Sequence, residues 1–585
     1  MNRLYKIFAL DKYQTLTLCA TLLASVMLIF LFLTQIGLDF IPKPIFILLY
    51  ITDGMLLWLP GVLLWPRAKW TTPVILLIVS LFLYSSTLYC RTFGSAMNLT
   101  MLSLAPTVDG IIIKSALAAV KWYDFLFIIP TLISALAVRI FGKRAVSRLP
   151  RHFKLLVTVA YVLLTAAIHC KIYFGQRKTE SRVTSVAEFF CTYQDLNFHL
   201  RWHGVWAGYI SDLINRCRAF KEMPSDNIEE IRHWSPCDSA GARNISDKNL
   251  IFIIVESLNT PALEWERNGR KAMPNLHRLL SDSTAITFTS VLPQTGTGTS
   301  SDGQMMYYSG IYPSTSSPMA TMAPEGPYPS LAKLFPVNSF EIIGESRTMW
   351  NHGITSEAFG FRHIYDKTAT LSVKADSLIF DRAKNIIAQS PQPFFAVITT
   401  VQMHSPYGED DAEDAWFSSL PFDDVREKHY LETCAEFDTV LGDFIIWLKK
   451  SGLWGKSIIA IASDHNVPHR NISTRMSDNR ILFATLNSGL PGFRCDEIVG
   501  QIDVFPTIID VLGQWDNTPW RGFGYSLLRT IPGYAIAYDG TVAGDTIGKS
   551  ADIARQRRAI ELSQKWITAT NKDRLIFDNP SSRNQ

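Results

Sequence analysis

Four side chains able to ligate a metal ion or move a proton stand just past apolar, β-branched runs. Glu256 follows the run 250–255, Asp464 and His465 follow Ser463 at the end of 457–462, and His404 comes after 394–400 with Gln402 and Met403 between. In parallel α/β sheets, chemistry gathers where strands end at their carboxyl termini. A lone Glu or His there is usually a structural hydrogen-bonder. Three strand ends that offer Glu, Asp-His and His together point instead to a metal site. Oxygen and imidazole donors without a thiolate suit Mn²⁺, Mg²⁺ or Zn²⁺. A further feature is the stretch 294–304, rich in hydroxyls and glycine, which precedes a helix-competent segment. Ser300, Ser301 and Asp302 are good N-cap types. A helix N-terminus stabilises an anion, and a hydroxyl beside a divalent cation can ionise and attack phosphorus. The plainer reading is a flexible Ser/Thr/Gly loop with a cap.

The elements that would position these groups show in the pattern of runs. Continuous apolar stretches at 250–255, 340–343, 394–400, 457–462 and 481–486 have the marks of buried parallel strands. Helical periodicity lies between them at 273–281, 331–335, 377–390, 425–451 and 503–512. Such alternation predicts an α/β domain with a mainly parallel sheet covered on both faces. No GxGxxG follows the first strand and no GxxxxGK[ST] occurs, so dinucleotide and P-loop readings have no support.

The first third has a different composition. Residues 1–180 carry 18 Lys/Arg against 6 Asp/Glu, and the remainder carries 38 against 46. In the 585-residue chain only 18% of residues are charged and 48% are hydrophobic, with mean hydropathy +0.11. This excludes a disordered chain and argues against a nucleic-acid-binding surface. Five stretches approach the length needed to cross a bilayer: 15–35, 44–65, 72–90, 122–140 and 155–174. The first is too long for a signal-peptide core and is not followed by a cleavage site. Asp53 falls mid-span, either as a functional group or as a carboxylate hydrogen-bonded inside a bundle. Basic residues cluster at the N-terminus (Arg3, Lys6, Lys12), at Arg67 and Lys69, and between Arg139 and Lys154. The positive-inside rule places all three in the cytoplasm, so five spans leave the rest of the chain outside. The organisation expected is a five-helix transmembrane domain (1–177), amphipathic connector helices (178–247) and an extracytoplasmic α/β domain (248–585). The connector carries Phe189, Phe190, Tyr193, Phe198, Trp202, Trp206 and Tyr209. Of eight cysteines, the exported part holds Cys191, Cys217, Cys237, Cys434 and Cys495, an odd number, and no zinc-finger spacing occurs.

Taken together, these residues resemble the alkaline-phosphatase/sulfatase-like superfamily, and within it the lipoteichoic acid synthase-like phosphoglycerol transferases. The stretch 253–257, Ile-Ile-Val-Glu-Ser, resembles the family's first metal-ligand motif. The stretch 295–302 resembles its nucleophile loop T-G-x-G-x-T-S-D, with Ser300 where Thr is usual and Thr299 as the fallback nucleophile. Trp350-Asn351-His352, with Phe359-Gly360 and Tyr365-Asp366, resembles the substrate-pocket stretch W-N-R…F-G…Y-D, and His352 replaces the usual Arg. Arg is a bidentate phosphate clamp and His is not. His404-Ser-Pro-Tyr407 resembles the phosphate-contacting motif, Asp464-His465 the last ligand pair, and 501–507 a late segment of structural role. True sulfatases need C/S-x-P-x-R, and Ser316-Ser-Pro-Met-Ala320 lacks the Arg.

The resemblance implies one divalent metal ion, Mn²⁺ foremost, held by Glu256, Ser300, Asp464 and His465. It implies Ser300 and His404 as catalytic groups and Trp350, His352 and His404 as substrate-binding ones. It further implies a phospholipid donor (phosphatidylglycerol, or phosphatidylethanolamine in the alternative), an envelope glycan or lipid acceptor, and a covalent phospho-Ser300 intermediate. A location in the bacterial cell membrane, the inner one where there are two, follows, with the N-terminus cytoplasmic and the α/β domain outside. A non-catalytic binding protein is the third reading.

Overall fold

The computed structural model describes residues 10–37, 44–93, 96–99, 101–102, 113, 116–145, 147–179, 196–234, 247–315, 317–368, 374–405, 407, 415–467 and 480–575. Arg3 and Lys6, the loop 103–112, Phe189, Phe190, Cys191, Tyr193, Cys237 and Ser316 lie outside them, as do the side chains of Phe198 and Cys217. The chain separates into two compact units, one comprising residues 1–102 and 116–218, the other 103–115 and 219–585.

Among its described residues, the first unit holds five helices long and apolar enough to cross a membrane. They are α1 (Lys12–Gln35), α2 (Pro44–Leu63), α3 (Thr71–Phe93), a span Trp122–Gly142 and α5 (Arg151–Thr179). The fourth span is not uniform: a 3-10 turn at Trp122–Ile128 leads into α4 (Ile129–Ala137) and a π turn at Val138–Gly142. Pro130 sits at the start of α4, where its missing N–H leaves no helical bond unmade. The basic regions converge at one end of this bundle. Gln14 Nε2 donates to Ser147 O at 3.0 Å, Lys69 Nζ to Gly142 O at 2.8 Å, and Lys154 Nζ to Trp65 O at 2.8 Å. At the other end, Arg91 makes a two-pronged pair with Asp124, both contacts 2.8 Å. Two shorter helices complete the unit, α6 (Leu196–His203) and α7 (Val205–Ala219).

Asp53 of α2 resolves the two readings given for it. Its Oδ2 accepts from Val205 N at 2.7 Å and its backbone oxygen accepts from Trp206 Nε1 at 3.1 Å. It therefore caps the N-terminus of α7, satisfying an amide the helix cannot pair itself. Gly204 is required beside it: its φ is +86° and a Cβ there would lie 2.6 Å from Asp53 Oδ2.

The second unit begins with α8 (Ser225–Arg232) and is built on a mixed, mostly parallel sheet. Its strands are β1 (Asn249–Val255), β2 (Ile286–Leu292), β3 (Ser339–Ile342), β4 (His363–Tyr365), β5 (Phe395–Thr399), β6 (Ser457–Ser463), β7 (Ile481–Leu486), β8 (Phe493–Cys495) and β9 (Val499–Gly500). Their order is β8-β2-β7-β6-β1-β5-β3-β4, with β9 on β2. Only β7 runs against its neighbours β2 and β6. All seven residues of β1 are buried. Leu250, Phe252 and Ile254 enter one core while Ile251, Ile253 and Val255 enter another. An uninterrupted apolar run is what a strand covered on both faces needs. Fully burying each such side chain contributes about 1.5–3 kcal/mol.

The helices that matter to the site are α9 (Ser300–Ser309), α10 (His352–Phe359), α11 (Ala375–Gln389), α12 (Val425–Lys450), α13 (Val504–Val511) and α14 (Ser550–Ile567). Residues of α9, α13 and α14 enter the first core, those of α11 and α12 the second. The stretch 331–335 forms a 3-10 turn, Leu331–Leu334, rather than a helix. Strand β2 escaped the sequence reading because Thr287, Thr289 and Ser290 interrupt its apolar run, yet these residues are buried.

Candidate functional site

β1 and β6 pair in parallel register, with Val255 opposite Ser463. The residues after these two strands must therefore emerge side by side. Glu256, Asp464 and His465 do so, all buried, each offering a ligand atom within 4.8 Å of the other two. His465 Nε2 lies 3.4 Å from Glu256 Oε1 and 3.5 Å from Asp464 Oδ2. The backbone orients each group. Asp464 Oδ1 accepts from Ser257 N and His465 N, both at 2.8 Å, which leaves Oδ2 aimed inward. His465 Nδ1 donates to Asn466 O at 2.9 Å, so Nε2 presents its lone pair to the cluster. Ser257, at φ +50°, donates its hydroxyl to Glu256 Oε1 at 2.6 Å.

Asp464 Oδ2 is buried and makes no hydrogen bond among the described residues. Burying an unpartnered carboxylate oxygen is expensive. Burial raises the Asp464 pKa to about 6, with the neighbouring Glu256 charge adding to it. Burial alone would lower the His465 pKa, but the Asp464 and Glu256 carboxylates raise it. Two converging carboxylates and one imidazole nitrogen fit a hard divalent cation, which would satisfy all three at once.

Ser300 is the first residue of α9, and its Oγ stands 3.3 Å from His465 Nε2. The turn before it is strained, with Thr299 at φ +39°. Asp302 and Gly303 hold the turn in place. Asp302 Oδ2 accepts from Gly296 N at 3.0 Å and Gly298 N at 2.9 Å, and its Oδ1 accepts from Met319 N at 3.1 Å. Gly303 brings α9 against the end of β6, since a Cβ there would lie 2.5 Å from the Asp464 carbonyl oxygen. The cap differs from expectation. Thr299 occupies the cap position without a side-chain bond, and Asp302 ties down the preceding loop amides instead of starting the helix.

His404 follows β5, whose partner on one side is β1. Its Nδ1 shares a 2.8 Å hydrogen bond with Ser405 O, which makes Nδ1 the protonated nitrogen. Burial lowers its pKa, and its charge interacts with His465 and Asp464. Trp350 and Asn351, both at positive φ (50° and 55°), form a second strained turn that leads into α10. His352 begins that helix, and each of its ring nitrogens faces a glutamate. Its Nε2 is 3.5 Å from Glu341 Oε2 and its Nδ1 is 3.7 Å from Glu345 Oε1. The structure thus brings Glu256, Ser300, Asp464 and His465 into one cluster and sets His352 in another.

The sequence reading missed Glu341 and Glu345. The rule that found Glu256 and Asp464 also applies to the run 340–343, which is followed by Gly344 and Glu345. Glu341 lies inside strand β3, where alternation offers no signal for a buried acid.

Residues 248–514 match the sulfatase family model. The chain is 23% identical to lipoteichoic acid synthase 2 of Bacillus subtilis over 82% of its own length and 78% of that protein's. It is 24% identical to lipoteichoic acid synthase of Staphylococcus aureus over 77% of its length and 73% of the relative's. Among solved structures, the lipoteichoic acid synthase LtaP from Listeria monocytogenes aligns with 59% of this chain and 98% of its own, at 20% identity and a TM-score of 0.49.

Proposed function

We propose, on the premise that the chain carries a sulfatase-family domain of the alkaline phosphatase superfamily and is homologous to lipoteichoic acid synthases, that it is a membrane-embedded, metal-dependent phosphotransferase. It moves a phospho-headgroup, foremost glycerol phosphate from phosphatidylglycerol, to an envelope glycan or lipid. The observation that carries this reading is the serine hydroxyl at a strained helix start, 3.3 Å from the imidazole of a buried carboxylate–histidine cluster.

A divalent ion, Mn²⁺ foremost, held by Glu256, Asp464 and His465 with Ser300 as fourth ligand would lower the pKa of the hydroxyl and offset charge on the phosphate. The chain's own groups do the rest. The turn fixed by Asp302 and Gly303 holds Ser300 Oγ in place. In the first half-reaction, the Ser300 Oγ–phosphorus bond forms and the bond from phosphorus to the diacylglycerol oxygen breaks. The proton lost by the serine balances the one gained by diacylglycerol. In the second, an acceptor hydroxyl displaces Ser300 Oγ from phosphorus and its proton returns to the serine. His404, with Nδ1–H engaged by Ser405 O and its pKa lowered by burial, is neutral near pH 7. Its Nε2 therefore serves as the proton acceptor for the incoming hydroxyl. Trp350 and His352 line the headgroup side.

The exported side of the membrane is assigned to the second unit, and the basic end of the bundle to the cytoplasm. Phosphoethanolamine transfer is the second reading, because His352, paired with two glutamates, replaces the guanidinium of the resembling family.

The test is diacylglycerol release by the full-length protein from labelled phosphatidylglycerol and phosphatidylethanolamine. Ser300→Ala is expected to lower turnover by about 10³-fold or more and to trap no labelled headgroup. EDTA is expected to abolish turnover and Mn²⁺ to restore it. Turnover that persists in Ser300→Ala refutes the nucleophile, and turnover indifferent to EDTA refutes the metal.

A further inference from the structure

The stretch 220–223 is stitched to the chain that follows α14. Lys221 N donates to Thr568 O at 3.2 Å, and Thr570 N donates to Lys221 O at 3.1 Å. Two residues on, Met223 N donates to Asn571 Oδ1 at 2.8 Å. The stretch 319–328 faces this seam. It is fixed at its start, where Met319 N donates to Asp302 of α9, and near its end, where Tyr328 Oη donates to Ala323 O at 2.8 Å. Seam and stretch enclose a cavity of about 380 Å³, which none of Glu256, Ser300, His404, Asp464 and His465 lines.

Phe220, Met322 and Pro327 make much of its wall apolar, and the buried charge in it is Lys572. That ammonium has three protons to donate. It meets two neutral acceptors, both at long distance: Glu325 O at 3.4 Å and Tyr328 Oη at 3.3 Å. Among the described residues no carboxylate forms an ion pair with it. Burial lowers its pKa to about 8, against the raising effect of the Glu325 charge. A buried cation without a counter-ion is costly until something pairs it. Glu325 and Asp573 also line the cavity, at exposed positions. The floor is therefore cationic and the rim acidic.

A phosphate would give Lys572 the acceptors it lacks. The cavity is larger than a bare phosphate needs and falls in the range of small-molecule sites. Acids on the rim repel a second negative charge and accept from hydroxyls. We propose that this cavity binds a phosphate carrying a polyhydroxylated group, with the phosphate on Lys572 and the hydroxyls toward Glu325 and Asp573. Free sugar phosphates and the polyol headgroups of phospholipids share that chemistry. No residue of the cavity takes part in the phosphotransfer steps above, and the site stands independently of them.

The experiment measures binding to the full-length protein, in detergent with Mn²⁺, by calorimetry. The probes are glucose 1-phosphate, glucose, inorganic phosphate and micellar phosphatidylinositol. The carboxylate–histidine cluster is the same in wild type and variants, so the difference between them is read. Lys572→Met is expected to weaken one glucose 1-phosphate site by about tenfold or more, the worth of hydrogen bonds to a charged group. Glu325→Gln combined with Asp573→Asn is expected to weaken glucose 1-phosphate by about threefold or more without weakening inorganic phosphate. Both rim positions are exposed, so this pair decides the matter should Lys572→Met fail to fold. Tighter binding of phosphatidylinositol than of glucose 1-phosphate assigns the site to a lipid headgroup, and the reverse assigns it to a free sugar phosphate. Wild-type protein that binds neither, or an affinity that the variants leave unchanged, overturns the proposal. Glucose bound as tightly as glucose 1-phosphate overturns it as well.

Discussion

At the scale of single residues, Ser300 departs least from expectation and is the most easily tested. Its hydroxyl is fixed by the backbone, because the strained Thr299 and the Asp302-bound loop set the direction of the first helical residue. A methyl added on Cβ does not move the oxygen. Ser300→Thr is therefore expected to keep diacylglycerol release within about tenfold of wild type, and Thr299→Ala to leave the trapped phospho-enzyme on residue 300. Label found on residue 299 would reverse the assignment. Glu256, Asp464, His465 and Ser300 were legible because each follows a strand end or a hydroxyl-rich turn, and strand ends in parallel sheets are where register forces neighbours together. Glu345 obeys the same rule but sits one residue beyond a glycine, and Glu341 obeys none. The role of Asp302 was misread for a physical reason: a carboxylate three residues into a loop-helix junction can accept from amides on either side of itself.

At the scale of elements, the run 501–507 shows how a junction is built. Asp503 precedes α13, and its two carboxylate oxygens accept from Gly500 N at 2.8 Å and Tyr525 N at 2.7 Å. Burial raises its pKa to about 7 even against those two donors. The folded state thus binds its proton more tightly than the unfolded chain, whose Asp titrates near pH 3.9. This contribution to stability is complete below about pH 4 and is lost as pH rises through about 7, at about 1.4 kcal/mol per pKa unit. Asp503→Asn removes the titration and strands one of the two backbone donors. Melting temperatures of the full-length protein in detergent at pH 4.5 and 7.5 are expected to be lower in the variant, by about 1–3 kcal/mol of stability. The variant's fall between the two pH values is also expected to be smaller. An unchanged pH slope would show that Asp503 is ionised throughout. The strands themselves were mostly readable, since doubly buried β-strands leave continuous apolar runs. β2 was not, because buried threonines pack in a strand as readily as valines.

For the whole molecule, the change from a basic, apolar first third to an ordinary remainder was legible from composition, whereas the two compact units part near residue 218, inside the stretch 178–247 expected as a connector. Charge and hydropathy change together, and no fold-specific signal is needed. That the basic ends share one side was expected from the positive-inside rule, but the contacts that join them were not legible. They include Gln14 to Ser147 and Lys154 to Trp65, between residues far apart in sequence. These contacts bring the α2–α3 turn and the α4–α5 turn to one end, as the cytoplasmic assignment requires. A cysteine at Arg148 is therefore expected to react with a membrane-impermeant maleimide only after cells are opened. A cysteine at Asp545, an exposed position in the second unit, should react in intact spheroplasts. The reverse pattern would overturn the proposed topology.

The Glu341 carboxylate, shared by Tyr308 of α9, Ser356 and His352, has an evolutionary consequence. A side chain that hung from a surface loop could drift one substitution at a time. Here position 352 leans on Glu341, and Glu341 leans on the helix that begins with the nucleophile. A lineage that exchanged His352 for a larger cation would disturb a shared anchor and a strained turn together. A replacement at 352 is therefore expected to be tolerated better when position 341 changes with it.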